Sequence, residues 1–200
     1  MNPLNPHTKN LRLVRHPWIW VARFRKRRGY GVHSPWAFAF ITGVIGERTP
    51  YYAYQRLDRL HPALVRAARL YPLRCRRLLF RLANYARPAT VCCVGLCPTE
   101  REYIRAAVPS ARWLQADEGT EAADFVFVGA PHIAEAPSLA QQMPRHGMLV
   151  VEGIHRTKTS LALWHSIQQA PHTGITFDLF TYGIAFFDPS RHKQHYKVNF

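Results

Sequence analysis

Acidic residues are scarce in this chain: 12 Asp and Glu stand against 27 Lys and Arg, a net charge of +15 over 200 residues. Cysteine is sparse as well, and four are too few for a disulfide scaffold at this length. Cys92, Cys93 and Cys97 crowd in or beside one apolar run, which suits a reducing compartment better than paired bridges. No stretch of roughly 18 residues is apolar and uncharged, so no transmembrane helix is read. The first residues lack the basic–apolar–small layout of a signal peptide. GxSxG, Walker A and HExxH patterns are missing, and the cysteines lack the paired CxxC spacing of a zinc site, so no metal ligand set is assigned. With 48% hydrophobic and 20% charged residues the composition is globular. What remains is a single α/β-type domain, expected in the cytoplasm.

The basic excess sits in one half. Residues 1–90 hold 18 of the 27 Lys and Arg and only two acids, Glu47 and Asp58. Residues 91–200 hold 9 basic and 10 acidic residues. Arg dominates, 22 against 5 Lys, and its planar fork suits phosphates and carboxylates. Such a face attracts an anionic partner, nucleic acid or a membrane surface, through the Arg-rich residues 9–87. The plainer alternative is Arg placed on solvated helix faces by compositional drift. Leu11–Arg28 interleaves apolar and basic residues around Trp18 and Trp20, as a membrane-surface helix or a packed N-terminal helix would.

Periodicity divides the chain near residue 87. Ser34-Pro35 reads as a cap and first helical residue. Helical apolar faces then run through residues 36–45, from Tyr51 to about Leu70, and through 73–86, making residues 1–87 a basic helical cap. From residue 88 the pattern alternates. Short apolar runs at 90–95, 124–129 and 147–152 read as buried strands, with a shorter strand at 111–115. Helices are expected from Pro98, over 138–143 and over 159–169. Ile175–Phe180 and Ile184–Phe187 read as a hairpin at the edge of the sheet. Residues 88–200 are therefore expected to form a mostly parallel sheet ending in an antiparallel hairpin.

Ligands of such sheets bind beyond the carboxyl ends of the strands. The loops there read Gly95-Leu-Cys97, Gly129-Ala-Pro-His132 and Glu152-Gly-Ile-His155. One glycine after the first strand is a weak nucleotide signal. Glu152 with His132 or His155 offers an acid–base pair or part of a metal site, and these three are the candidate catalytic residues.

Several blocks occur together in a specific order: Gly31-Val-His-Ser-Pro-Trp36, Tyr51-Tyr-Ala-Tyr54, Leu78–Tyr85, Gly153-Ile-His155, Trp164, Ile175-Thr-Phe-Asp-Leu-Phe180, Gly183-Ile-Ala-Phe-Phe187 and Lys193-Gln-His-Tyr196. In these the chain resembles a family of class I S-adenosylmethionine-dependent methyltransferases common in Bacteroidetes and related to the O-methyltransferases. The resemblance runs from about residue 23 to the end. It implies a Rossmann-like methyltransferase sheet under a helical cap, with S-adenosylmethionine as cofactor near Gly95, Cys97, Gln115, Asp117 and Gly129.

The departures fall where the family's chemistry lies. The family's first strand ends in a pattern like Glu-Leu-Gly-Thr-Ser-x-Gly; Cys93 stands at the acid and Thr99 at the last glycine. Gln115 takes the place of the acid that holds the cofactor ribose, with Asp117 two residues on as a substitute. The stretch from Gln115 to Phe125 is too short for a crossover of about ten to twelve residues, so one βα unit is expected to be missing. The family's Asp-Gly-Asn-His and Asp-Asp-Ile-His read Gly129-Ala-Pro-His132 and Glu152-Gly-Ile-His155. The resemblance therefore implies a diverged methyltransferase with weakened or lost cofactor binding, a pseudoenzyme. The alternatives are an active methyltransferase with His132 or His155 as base, and a basic binding protein.

Overall fold

In a computed structural model the structure describes residues 32–59, 70–114 and 123–200. The Ser34 hydroxyl accepts from the Ala37 amide and Pro35 opens α1, Pro35–Phe40. The helix widens into a π turn over Ile41–Ile45, closed by Gly46 N–H donating to Ile41 O at 2.7 Å. Helix α2 is Tyr54–Arg59 and α3 is Leu70–Ala86. Arg87, at φ 46°, ends α3 in the left-handed conformation usually left to glycine, and Pro88 prevents continuation. The remainder alternates: β1 Thr90–Val94, α4 Pro98–Ala107, β2 Arg112–Leu114, β3 Phe125–Val128, a 3-10 turn over Ala130–Glu135 running into α5 Ala136–Gln141, β4 Met148–Glu152, α6 Lys158–Gln169, β5 Ile175–Asp178, β6 Tyr182–Phe186 and β7 Gln194–Lys197.

The strands form one seven-stranded sheet in the order β2-β1-β3-β4-β6-β5-β7. β2, β1, β3 and β4 are parallel neighbours. β6 runs antiparallel between β4 and β5, with Met148 opposite Phe186 and Glu152 opposite Tyr182. The mostly parallel Rossmann-like sheet with its C-terminal hairpin is thus present, and among the described residues no strand lies beyond β2. The hairpin itself does not lie at the edge. Every residue of β5 and β6 is buried, so both strands need cover and neighbours. β7, the polar run Gln194-His-Tyr-Lys197, pairs parallel to β5 and takes the edge instead. Its composition gives no apolar alternation, so the sequence pattern offers no strand there; polar edges of this kind discourage further pairing.

Two layers cover the sheet. On one face Phe40, Ile41, Leu78 and Leu82 of the N-terminal helices share a core with Val91, Phe127, Val150, Phe177 and Ile184. On the other, Ala140, Trp164 and Ile167 of α5 and α6 pack on Val126, Leu149, Val151 and Ala185. A satellite cluster places Leu57, Phe80 and Tyr103 under α2, where the Tyr103 hydroxyl donates to Asp58 at 2.6 Å. Burial, and then the Asp58 carboxylate, hold the Tyr103 phenol protonated well above its usual range. Asp124 ties the starts of β1 and β3, accepting at 3.0 Å from the Ala89 and Thr90 amides and the Thr90 hydroxyl.

Phe40 carries the contact between cap and sheet, its ring 4.9 Å from Phe177 and 5.1 Å from Phe186. Phe40→Ala is expected to lower stability by about 3–5 kcal/mol, as for other buried aromatic truncations. Because the two parts share one core, urea unfolding followed by tryptophan fluorescence and by far-UV circular dichroism should shift as a single transition. A transition that splits into two in the wild type would contradict the shared core.

Candidate functional site

Parallel pairing brings the carboxyl ends of β1, β3 and β4 side by side, and their loops meet there. Gly95 turns the chain at φ +69°. Gly129 lies against it so closely that a β-carbon on Gly129 would stand 2.4 Å from the Gly95 carbonyl oxygen. The Gly129 amide donates to Val94 O at 2.8 Å, which fixes this approach. The 3-10 turn then carries His132 back over the first loop. A β-carbon on Gly95 would come within 2.4 Å of His132 Cδ2, so the imidazole lies on the Gly95 α-carbon. His132 Nδ1 pairs with Glu135 Oε1 at 2.9 Å, and both side chains are about half exposed.

Cys97 precedes α4 and forms a capping box with Glu100, whose buried carboxylate accepts from the Cys97 amide. The start of this helix is therefore supplied with a carboxylate from its own first turn. Burial, together with the Glu100 charge, pushes the Cys97 thiol up to about 11. Cys93, on β1, is held protonated still more strongly by burial and by neighbouring Cys92. None of the four cysteines forms a disulfide.

Glu152 ends β4 with its side chain buried, and its Oε2 accepts from the Ala130 amide at 3.1 Å. It thereby anchors the loop that carries His132. Gly153 comes next at φ +79°, where a β-carbon would press on the Ala130 methyl, and its amide donates to Thr181 O at 2.6 Å. His155 reaches the turn between β5 and β6. Its Nε2 lies 2.8 Å from Asp178 Oδ2, and its ring stacks on Phe180 at 4.8 Å between centroids. Asp178 Oδ1 accepts from the Phe180 amide, which holds Phe180 at φ 71°.

Gly95, Gly129, His132 and, through Ala130, Glu152 thus form one connected cluster, with Cys97 at the adjoining helix start. His155 belongs with Asp178. Gln115 and Asp117 lie outside the described residues. Sequence reasoning gives Asp178 no role of its own, although it lies within a family block. The signal that marks it is an acid in the otherwise apolar buried run Ile175-Thr-Phe-Asp178, since a buried carboxylate requires partners. Among the described residues no group of three or more His, Cys, Asp or Glu side chains converges as a cation site. No described helix is long and apolar enough to cross a membrane.

The chain is similar in structure to the O-methyltransferase TomG from Streptomyces achromogenes, involved in tomaymycin synthesis and solved in complex with SAM. That likeness has 12% identity and a TM-score of 0.43, and spans 70% of this chain and 91% of TomG. It is also similar to the cofactor-bound Rv0187 from MTB, at 13% identity and a TM-score of 0.36, over 84% of this chain and 95% of the other. No family model and no curated protein sequence matches the chain.

The geometry has two measurable consequences. Gly95→Ala should cost roughly 1–2 kcal/mol for the left-handed backbone alone. Because the His132 ring rests on the Gly95 α-carbon, adding His132→Ala should recover the steric part of the loss and leave the backbone part in denaturant titrations. Iodoacetamide should modify Cys97 slowly at neutral pH, with a rate that rises about tenfold per pH unit toward the raised pKa. Peptide mapping by mass spectrometry reads this, and fast modification at pH 7 would contradict the burial of the thiol.

Proposed function

We propose that the chain is a methyltransferase-like scaffold in which S-adenosylmethionine binding is weakened or lost. The strand order supports the scaffold half of this reading, since β6 is inserted antiparallel between β4 and β5 of an otherwise parallel sheet. The sequence blocks in which the chain resembles class I methyltransferases support the same half of the reading.

The observation that carries the loss is the seating of the His132 imidazole on the Gly95 α-carbon. A glycine turn after the first strand serves a cofactor by letting the ligand approach bare backbone. Here a side chain of the chain itself takes that approach. The flanking groups point the same way: Cys93 is a neutral thiol where the family has a carboxylate, and the α4 start is capped by Glu100. These residues do not fit the cofactor.

The Asp178–His155 pair favours a second reading, an acid–base centre toward an acceptor hydroxyl. A buried carboxylate accepting from Nε2 orients the ring, as in other carboxylate–histidine couples. Calorimetric titration with S-adenosylmethionine and S-adenosylhomocysteine separates the two. Heats too small to fit, or dissociation constants in the millimolar range, are expected. A low-micromolar constant would overturn the loss and leave His155 as the base of a working enzyme.

A further inference from the structure

Three arginines stand together where α4 meets β2, away from the cap and from the strand-end loops. Arg101 and Arg105, one turn apart on α4, both set their guanidinium carbons 5.5 Å from the centre of the Trp113 ring. Both are exposed, and so is Arg112 beside Trp113 on the strand. Among the described residues no carboxylate forms an ion pair with any of the three, Glu102 on α4 included. Like charges four residues apart on a helix repel, and stacking both on one indole holds them in place against that repulsion. The pair is thus fixed and uncompensated.

Its setting is a bare sheet edge. β2 is the outermost strand among the described residues and is three residues long. The Arg112 amide donates to Ala89 O at 2.9 Å, and Trp113 stands opposite Val91. In a parallel ladder alternate residues turn both backbone groups to the same neighbour, so the N–H and C=O of Trp113 point away from β1. A polypeptide supplies the acceptor and the donor that these two groups need. A phosphodiester chain supplies acceptors alone, and the Trp113 ring is already engaged by two guanidiniums and by the core it packs against. α4 joins two parallel strands and so runs back along them. Four residues of helix rise about 6 Å, and side chains on one face of a strand repeat every 6.6 Å or about that. Carboxylates at alternate positions of an added strand therefore match Arg101 and Arg105. A second copy of this chain, at net charge +15, is a poor match for an edge that carries Arg112.

We infer that the α4–β2 edge binds an extended acidic segment of a partner protein, added as a strand beyond β2, with alternate carboxylates held by Arg101 and Arg105. This does not rest on the cofactor reading, which calorimetry tests separately. The experiment is fluorescence anisotropy of the full chain with a labelled peptide of alternating Glu and Thr. Competitors are a peptide of the same composition with the Glu residues in one block, an alternating peptide N-methylated at its central residues, and oligothymidylate. The alternating peptide should bind at low salt and outcompete all three. Arg101→Gln and Arg105→Gln should each weaken it about tenfold, the loss of one charge-assisted bond. Both sites are exposed, so the circular dichroism spectrum should stay unchanged. Arg145→Ala, an exposed cation far along the chain, should change affinity little. The inference is overturned if the alternating peptide does not bind, if the N-methylated or block peptide or the oligonucleotide competes equally well, or if Arg145→Ala matches Arg101→Gln. It is equally overturned if Asp117→Asn with Glu118→Gln lowers the melting temperature of the wild type but not of the Arg101→Gln variant, which would make the chain's own acids the occupant.

Discussion

The antiparallel insertion of β6 between β4 and β5 sets the placement of the polar groups at the carboxyl end of the sheet. Because β6 reverses direction twice over, against β4 and against β5, β5 runs parallel to β4. Its carboxyl end, Asp178, therefore arrives at the same end of the sheet as Glu152 and His155. A hairpin at the edge with the opposite order would leave Asp178 one strand closer to β4 and would expose a strand buried on both faces. The bond from Gly153 to Thr181 O then locks the β4 loop to the β5–β6 turn. The Asp178–His155 pair and the strained Phe180 depend on that lock.

Most of the scaffold is legible because each strand carries its own punctuation. Thr90–Val94 and Phe125–Val128 are apolar runs closed by Gly95 and Gly129, and both are largely buried, as central parallel strands must be. β7 is illegible for the converse reason: an edge strand needs only one partner and no apolar face, so Gln194–Lys197 carries no periodic signal. Topology alone locates the candidate loops, since each begins where a buried strand ends. The contact between His132 and Gly95 cannot be read that way. It depends on the 3-10 turn after Gly129 folding back across a neighbouring loop, a non-local event with no mark in either segment. The pairing of His155 with Asp178 spans the β4–β5 connection and is hidden likewise.

Stability and ligand chemistry occupy different places in this sheet, which explains how one can persist when the other changes. The residues that hold the layers together, Phe40, Leu78, Phe127, Phe177 and Trp164, lie on the faces of strands and helices. The residues that would meet a ligand lie at strand ends, where side chains pack against loops. Cys93 on β1 puts a thiol and no charge into the interior, and burial with neighbouring Cys92 keeps it neutral. Function in α/β sheets is a property of these ends, and the fold by itself does not fix it.

The cap shows the same separation in reverse. Its buried side belongs to the sheet's core through Phe40 and Leu82, and that packing fixes its position. Its outer side is free of that duty and holds exposed rings, with Arg87 closing α3 in the left-handed conformation of a helix stop. Of the two acids of the first 90 residues, Glu47 caps the Arg48 and Thr49 amides at the surface, and Asp58 pairs with Arg77 and the Tyr103 hydroxyl. If solubility alone governed such a surface, charges of both signs would be interspersed and aromatic rings withdrawn. Among the described residues the outer side keeps exposed rings beside arginines, so solubility alone does not account for it.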